Sequence, residues 1–180
     1  MDRQALVIGV FVNESWELIQ EITDRFSLDA IQLHGSERAQ EVPIALRDMP
    51  IIKAIPWRAE TQSDIDMAMN WTGEPALSCL KGFLVDAFDP IQFGGTGKVV
   101  RWDLLNPRPQ ELCKNRLILA GGLTPENLAQ AINLVVPDAV DTASGIESSP
   151  GVKSAERMKN FVDEARKVVT DKGRWLAELL

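Results

Sequence analysis

Six apolar runs in this chain each stop at a polar residue, a proline or a glycine pair, and helical pattern follows. The runs are Leu6–Val12, Ala30–Leu33, Ile51–Ile55, Gly82–Val85, Arg116–Ala120 and Ala139–Val140. The stops are Asn13, His34-Gly35, Pro56, Asp86, Gly121-Gly122, and Asp141 with Ser144-Gly145. Apolar residues fill consecutive positions, as in Val7-Ile8-Gly9-Val10-Phe11-Val12 and Leu117-Ile118-Leu119-Ala120. That pattern predicts strands buried on both faces, as in a parallel sheet covered by helices. The strand starts recur every about 20 to 35 residues, which suits successive βα units. Strand, polar tip, helix, repeated, places function at the carboxyl ends of the strands. The expected fold is α/β: a TIM-type (β/α)8 barrel, incomplete, with about six βα units in one domain over residues 1–180.

The intervening segments carry helical stripes. Leu18, Ile19, Ile22 and Phe26 form one; Met158, Phe161, Val162, Ala165, Val168 and Val169 form another. Thr124-Pro125-Glu126-Asn127 reads as a helix start, with a threonine cap and proline at the first helical position. The stretch 86–101, DAFDPIQFGGTGKVVR, has no such stripe and reads as a long mobile loop.

A net charge of -7 argues against a general nucleic-acid or anionic-membrane surface. It leaves room for a small anionic ligand, because backbone amides bind phosphate without net positive charge. Cys79 and Cys113 lack metal-like spacing and read as reduced thiols of a cytoplasmic protein. No apolar run approaches the roughly 20 residues of a membrane span, and the amino terminus does not read as a signal peptide. The five tryptophans are scattered and read as packing residues.

Chemistry is expected at the strand ends. Gly121-Gly122 and Ala143-Ser144-Gly145 close the last two strands, where barrels place a phosphate cradle; the competing reading for the glycine pair is a tight turn. Asp86 sits at the mouth of an apolar strand, where a partly desolvated carboxyl can act as a general acid, or can simply start a turn. His34, the sole histidine, could contact a ligand or pack and hydrogen-bond locally. Asp141 could hold a ligand hydroxyl or cap its turn. Gly94-Gly95-Thr96-Gly97-Lys98 fails as a Walker loop, because Gln92 and Val99 stand at required positions. A lid fits better, with Lys98 reaching an anionic ligand, against the alternative of a solvated glycine loop.

Together these strings resemble the phosphoribosylanthranilate isomerase family. The match runs through Gln32-Leu33-His34-Gly35, Ile52-Lys53-Ala54, Leu84-Val85-Asp86, Gly94-Gly95-Thr96-Gly97-Lys98, Leu119-Ala120-Gly121-Gly122-Leu123 and Ser144-Gly145-Ile146-Glu147, in that order. The resemblance implies an eight-unit barrel that carries out an Amadori rearrangement in tryptophan biosynthesis, with no metal or cofactor. It implies Asp86 as the general acid, His34, Asp141 and Lys98 as substrate-binding residues, and Gly121, Gly122, Ala143, Ser144 and Gly145 as the phosphate site. It implies a small phosphorylated sugar–anthranilate as the partner, and neither nucleic acid nor membrane. The family begins with a Lys-Ile-Cys-Gly strand carrying the general base, then a second strand with an arginine-bearing loop. Neither has a counterpart here, since Met1 falls just before what corresponds to the third strand. The expectation is a barrel lacking its first two units, weakly active or inactive alone, with open sheet edges that invite self-association. The alternatives are a non-catalytic phosphosugar-binding remnant, or another phosphate-binding barrel enzyme such as indole-glycerol-phosphate synthase. For the synthase, Lys53 is the only strand-borne lysine candidate.

Overall fold

A computed structural model describes residues 5–57, 62–73, 78–86 and 102–170. Six strands, β1 (Ile8–Phe11), β2 (Ala30–Leu33), β3 (Ile51–Pro56), β4 (Leu80–Asp86), β5 (Arg116–Ala120) and β6 (Ala139–Val140), form one sheet. They pair in chain order and every pairing is parallel, giving an open, incomplete barrel. All six lie where the apolar runs predict, with shifts of one or two residues at the ends of β1, β3 and β4.

Alternate residues divide the sheet into two apolar layers. Ile52, Ala54, Leu84, Ile118, Ala120 and Ala139 cluster on one face. Ile51, Ile55, Phe83, Val85, Leu117 and Leu119 join the helices in the larger core on the other. The period-2 geometry of a strand makes this division. Asp86 shares the parity of Leu84, and Asp141 that of Ala139, so both belong to the inner face.

β1 departs from two-sided burial: Val10 is 58% exposed and Ile8 39% exposed, while Phe11 on the opposite face is buried. Among the described residues β1 has a strand neighbour on one side only, so its inner-face side chains have nothing to pack against. The helices that flank the open ends show the same pattern. In α1 (Trp16–Phe26) Ile19 is buried but Leu18 and Phe26 are exposed. In α4 (Ala155–Thr170) Phe161 is buried but Met158 and Val162 are exposed.

α1 has strong end signals. The Ser15 hydroxyl accepts the Leu18 N–H, Glu17 lies in the first turn and Arg25 in the last, and Ser27 closes the helix in the left-handed region. After β2 the chain makes two 3-10 turns, Ala39–Glu41 and Ile44–Leu46, instead of a helix; Pro43 between them cannot donate the bond a continuing helix needs. α2 (Gln62–Thr72) buries Ala68 and Trp71 against the core. α3 (Leu128–Val135) starts later than Thr124 suggests. Residues 124–127 form a turn in which Thr124 O accepts the Asn127 and Leu128 N–H groups and the Thr124 N–H donates to the Asn127 side-chain oxygen. A short hairpin, β7 (Glu147–Ser149) and β8 (Val152–Lys153), precedes α4 and turns at Pro150-Gly151, with Gly151 at φ 80°. Among the described residues no helix is long and apolar enough to cross a membrane.

Candidate functional site at the carboxyl ends of the strands

Because the strands are parallel, their carboxyl ends share one rim, and the strand pairing carries the polar tips there. Asp86 is the last residue of β4, in register with Pro56 and Ala120. The Asp141 N–H donates to Leu119 O (2.8 Å), and the His34 N–H donates to Phe11 O (2.8 Å), so each tip is fixed by its neighbouring strand. The charges of these tips act on one another. The Asp141 carboxyl is raised above the ordinary aspartate range, first by the protein packed around it and then by the Asp86 charge. His34 and Lys153 pull it the other way. Solvent reaches Asp141 at the open rim, so these interactions are partly screened. Two carboxylates, an imidazole and an ammonium therefore belong to one electrostatic neighbourhood, a set suited to proton transfer beside an anionic ligand. The amide nitrogen of Gln32 lies 3.2 Å from His34 Nδ1 and steadies the ring.

The two glycine loops are tied together beside that cluster. Gly121 and Gly122 adopt φ of 85° and 63°, a conformation that side chains resist, and this turns the chain sharply off β5. Leu123 O then meets the β6 loop: it accepts the Thr142 hydroxyl at 2.7 Å and lies against Gly145. A Cβ on Gly145 would stand 1.8 Å from that oxygen, so only glycine allows the approach. Lys153 donates to Ala143 O (2.7 Å) and to Glu147 Oε1 (2.8 Å), and Arg157 Nε donates to Gly145 O (3.0 Å). The Arg157 guanidinium also makes a bidentate pair with Glu126, both bonds 3.1 Å. Thus β8 and α4 hold the Ala143-Ser144-Gly145 loop against the turn that follows Gly121-Gly122.

Sequence reasoning placed Asp86, His34, Asp141, Gly121, Gly122, Ala143, Ser144 and Gly145 at strand ends, and the structure puts all of them on this one rim. Lys98, with the Gly94–Lys98 string, lies outside the described residues. Cys79 and Cys113 fall at the other end of the sheet. Cys79 O accepts the N–H of Ile51, the first residue of β3, and Cys113 precedes β5. Burial raises the Cys79 thiol above its usual range, which makes it a poor base.

Sequence reasoning missed Glu37, Lys153 and Arg157. It weighed Lys53 only as a catalytic lysine without a glutamate partner. The structure gives Lys53 such a partner: its ammonium is fully buried and lies 2.9 Å from Glu37 Oε2. Nζ also donates to Leu33 O (3.2 Å) and Gly35 O (2.6 Å), which occupies its three protons. That arrangement is structural and removes the one residue that favoured the synthase reading. A lysine inside an otherwise apolar strand is the signal that pointed to it, since buried lysines are paired.

Three comparisons with known proteins agree. A family profile described as N-(5'-phosphoribosyl)anthranilate (PRA) isomerase matches residues 2–164. The N-(5'-phosphoribosyl)anthranilate isomerase of Pelobacter propionicus is 36% identical over 167 residues, covering 93% of this chain and 73% of that protein. The protein of the same name from Caldanaerobacter subterraneus is 37% identical over 162 residues, with 90% and 73% covered. The crystal structure of phosphoribosyl anthranilate isomerase from Thermotoga maritima superposes with a TM-score of 0.75 at 33% identity, covering 93% of this chain and 76% of that one. A crystal structure of a phosphoribosyl anthranilate isomerase in complex with reduced 1-(o-carboxyphenylamino)-1-deoxyribulose 5-phosphate gives a TM-score of 0.70 at 32% identity, with 93% of this chain and 74% of that one covered.

Proposed function

The chain belongs to the N-(5'-phosphoribosyl)anthranilate isomerase family, and from that premise we propose how its rim serves the isomerisation that this family performs in tryptophan biosynthesis. The substrate is N-(5-phosphoribosyl)anthranilate and the product 1-(2-carboxyphenylamino)-1-deoxyribulose 5-phosphate. The observation that carries the reading is the convergence of Asp86, Asp141 and His34 with the two laced glycine loops at one end of one parallel sheet.

In this reading the 5-phosphate rests on the loops at Gly121-Gly122 and Ala143-Ser144-Gly145, where small residues let backbone approach the anion. Asp86, as the general acid, delivers a proton to the ribose ring oxygen as the bond from C1 to that oxygen breaks. The anilino nitrogen supplies the electron pair and becomes an iminium. A base then removes the C2 proton, the electrons return to nitrogen to give an enolamine, and tautomerisation leaves the C2 ketone. His34 and Asp141 line the sugar and orient its hydroxyls, and Lys98 adds a cation for an anionic group of the substrate.

Among the described residues no cysteine stands at this rim to act as the base. Cys79 and Cys113 are at the wrong end of the sheet, and β4 alone separates Cys79 from Asp86 by about 20 Å at the usual rise per residue. The units without a counterpart are the first two of the barrel, which in this family bring the base and an arginine. We infer that the 180 residues by themselves bind the phosphosugar and turn it over about 10²- to 10⁴-fold more slowly than a barrel that has the base. A fluorescence assay following loss of the anthranilate substrate tests this, and near-normal turnover by the purified chain would refute it. Calorimetry with the reduced product analogue named above tests the binding half separately; a folded sample that takes up none of it would overturn the phosphosugar reading itself.

The open edges bear on the same question. The exposed face of β1, with Val10 and Val12 at 58% and 62%, favours self-association. Sedimentation of the chain over a range of concentrations tests it, and a monomer throughout would refute it.

A further inference from the structure

The chain contains a buried ion pair whose hydrogen bonds all end around one turn. Lys53 is fully buried and Glu37 nearly so, at 0% and 5% side-chain exposure. The Lys53 ammonium donates to the carbonyls on either side of His34, Leu33 O at 3.2 Å and Gly35 O at 2.6 Å. Its third bond goes to Glu37 Oε2 at 2.9 Å. Glu37 in turn accepts the Gly35 N–H, at 3.0 Å and 3.2 Å to its two oxygens, and the Asn13 N–H at 2.7 Å. Every one of these backbone groups flanks His34 or ends the neighbouring strand. Asn13 completes the weld, since its side-chain oxygen accepts Ser36 N–H at 2.6 Å. Gly35 leaves no slack, because a Cβ there would stand 2.3 Å from that same oxygen.

Packing alone does not call for this arrangement. A buried ion pair is often no more stabilising than apolar residues of similar volume, because both charges lose their hydration. Lys53 shares the parity of Ile51 and Ile55, whose neighbours are apolar, and a leucine or methionine would fill that layer. What an apolar residue cannot do is hold two carbonyls two residues apart, one on each side of His34, at fixed distance. We propose that the Lys53–Glu37 pair is a positioning device for His34: it clamps the backbone on both sides of the histidine and so fixes where the imidazole meets the substrate. The proposal rests on the reading that His34 lines the phosphosugar site.

His34 is the only histidine in the sequence, so its imidazole gives a single set of proton–carbon resonances. The decisive variant replaces both members of the pair, Lys53→Met with Glu37→Met, which removes the clamp without leaving a charge unpaired. With circular dichroism unchanged, the His34 resonances are expected to move or split, and affinity for reduced 1-(o-carboxyphenylamino)-1-deoxyribulose 5-phosphate is expected to fall about tenfold. Adding His34→Ala to that double variant should then cost less than about twofold further, because the ring is already misplaced. A folded double variant with unmoved His34 resonances overturns the proposal. So does a His34→Ala effect as large in the double variant as in the natural chain. If the double variant does not fold, Lys53→Arg replaces it: the planar guanidinium keeps the charge but cannot reproduce the ammonium's three directions, and the same two readouts apply. If His34→Ala costs no affinity in the natural chain, the site reading fails. The clamp still stands or falls on whether the resonances move.

Discussion

Gly145 and Leu123 belong to different loops, yet the Leu123 carbonyl oxygen lies where a side chain on Gly145 would have to be, 1.8 Å from its would-be Cβ. The two loops are therefore in backbone contact, and the proposed anion site depends on that contact. Gly145→Ala is expected to force them apart, with a stability loss of about 1–3 kcal/mol. Affinity for the reduced product analogue should fall by more than about tenfold. Chemical denaturation and calorimetry read the two effects. Unchanged affinity would separate the phosphate from these loops.

Asp86 ends β4 on the inner face, so its removal should affect chemistry more than binding. In a barrel that carries the general base, Asp86→Asn is expected to lower turnover by about 10²- to 10⁴-fold. Binding of the reduced analogue should be nearly unchanged. Steady-state fluorescence and calorimetry together distinguish this from a general loss of structure, and retained turnover would take the acid role from Asp86.

Asp141 gives a test with a sign. Its folded-state pKa is raised above the usual 3.8, so its ionisation opposes folding increasingly above pH 3.8 and in full once the pH exceeds the folded value. Asp141→Asn should therefore stabilise the chain at neutral pH. The gain should shrink as pH falls through the raised value and vanish below 3.8, where both states are protonated. Thermal unfolding of the two proteins from pH 7 to pH 3 measures this, and destabilisation at neutral pH would contradict it.

Glu37 should behave in the opposite way. Burial pushes its carboxyl up, but the Asn13 N–H and Lys53, by hydrogen bond and by charge, outweigh it and hold the pKa below the usual 4.5. Its contribution is then full above pH 4.5 and lost as pH falls through the lowered value. Glu37→Gln leaves the Lys53 charge buried without its partner, at a cost of about 3–5 kcal/mol near neutrality. The gap between variant and natural chain should close in acid. A gap independent of pH would mean that the carboxylate charge is not what matters.

Much of this was legible in the sequence because the strands announce themselves. Arg116–Ala120 and Ala30–Leu33 are consecutive apolar runs with glycine or polar stops, and their bounds agree with β5 and β2. Strand ends in a parallel sheet must share a rim, so Asp86, Asp141 and the glycine loops could be grouped before any coordinates. What the sequence hid was long-range. Val10 looks as buried as Ile118, but it is exposed because β1 has a strand neighbour on one side only among the described residues. Thr124 looks like a cap, but a turn over 124–127 separates it from the first residue of α3. Glu37 and Lys53 sit 16 residues apart on different elements, and nothing local marks Glu37 as a partner. Arg157, from the last helix, reaches Gly145 and Glu126 only after the fold has closed on them.

Neighbouring strands in this sheet are also consecutive along the polypeptide, from β1 to β6. A ribosome would thus deliver the pieces in the order in which they bond, and each new strand would find its template already waiting. The proposed anion site and the side chains that tie it together, residues 121–157, emerge only after β1 to β5. His34 and Asp86 therefore stand at the ends of paired strands before the two loops proposed to take the phosphate can meet.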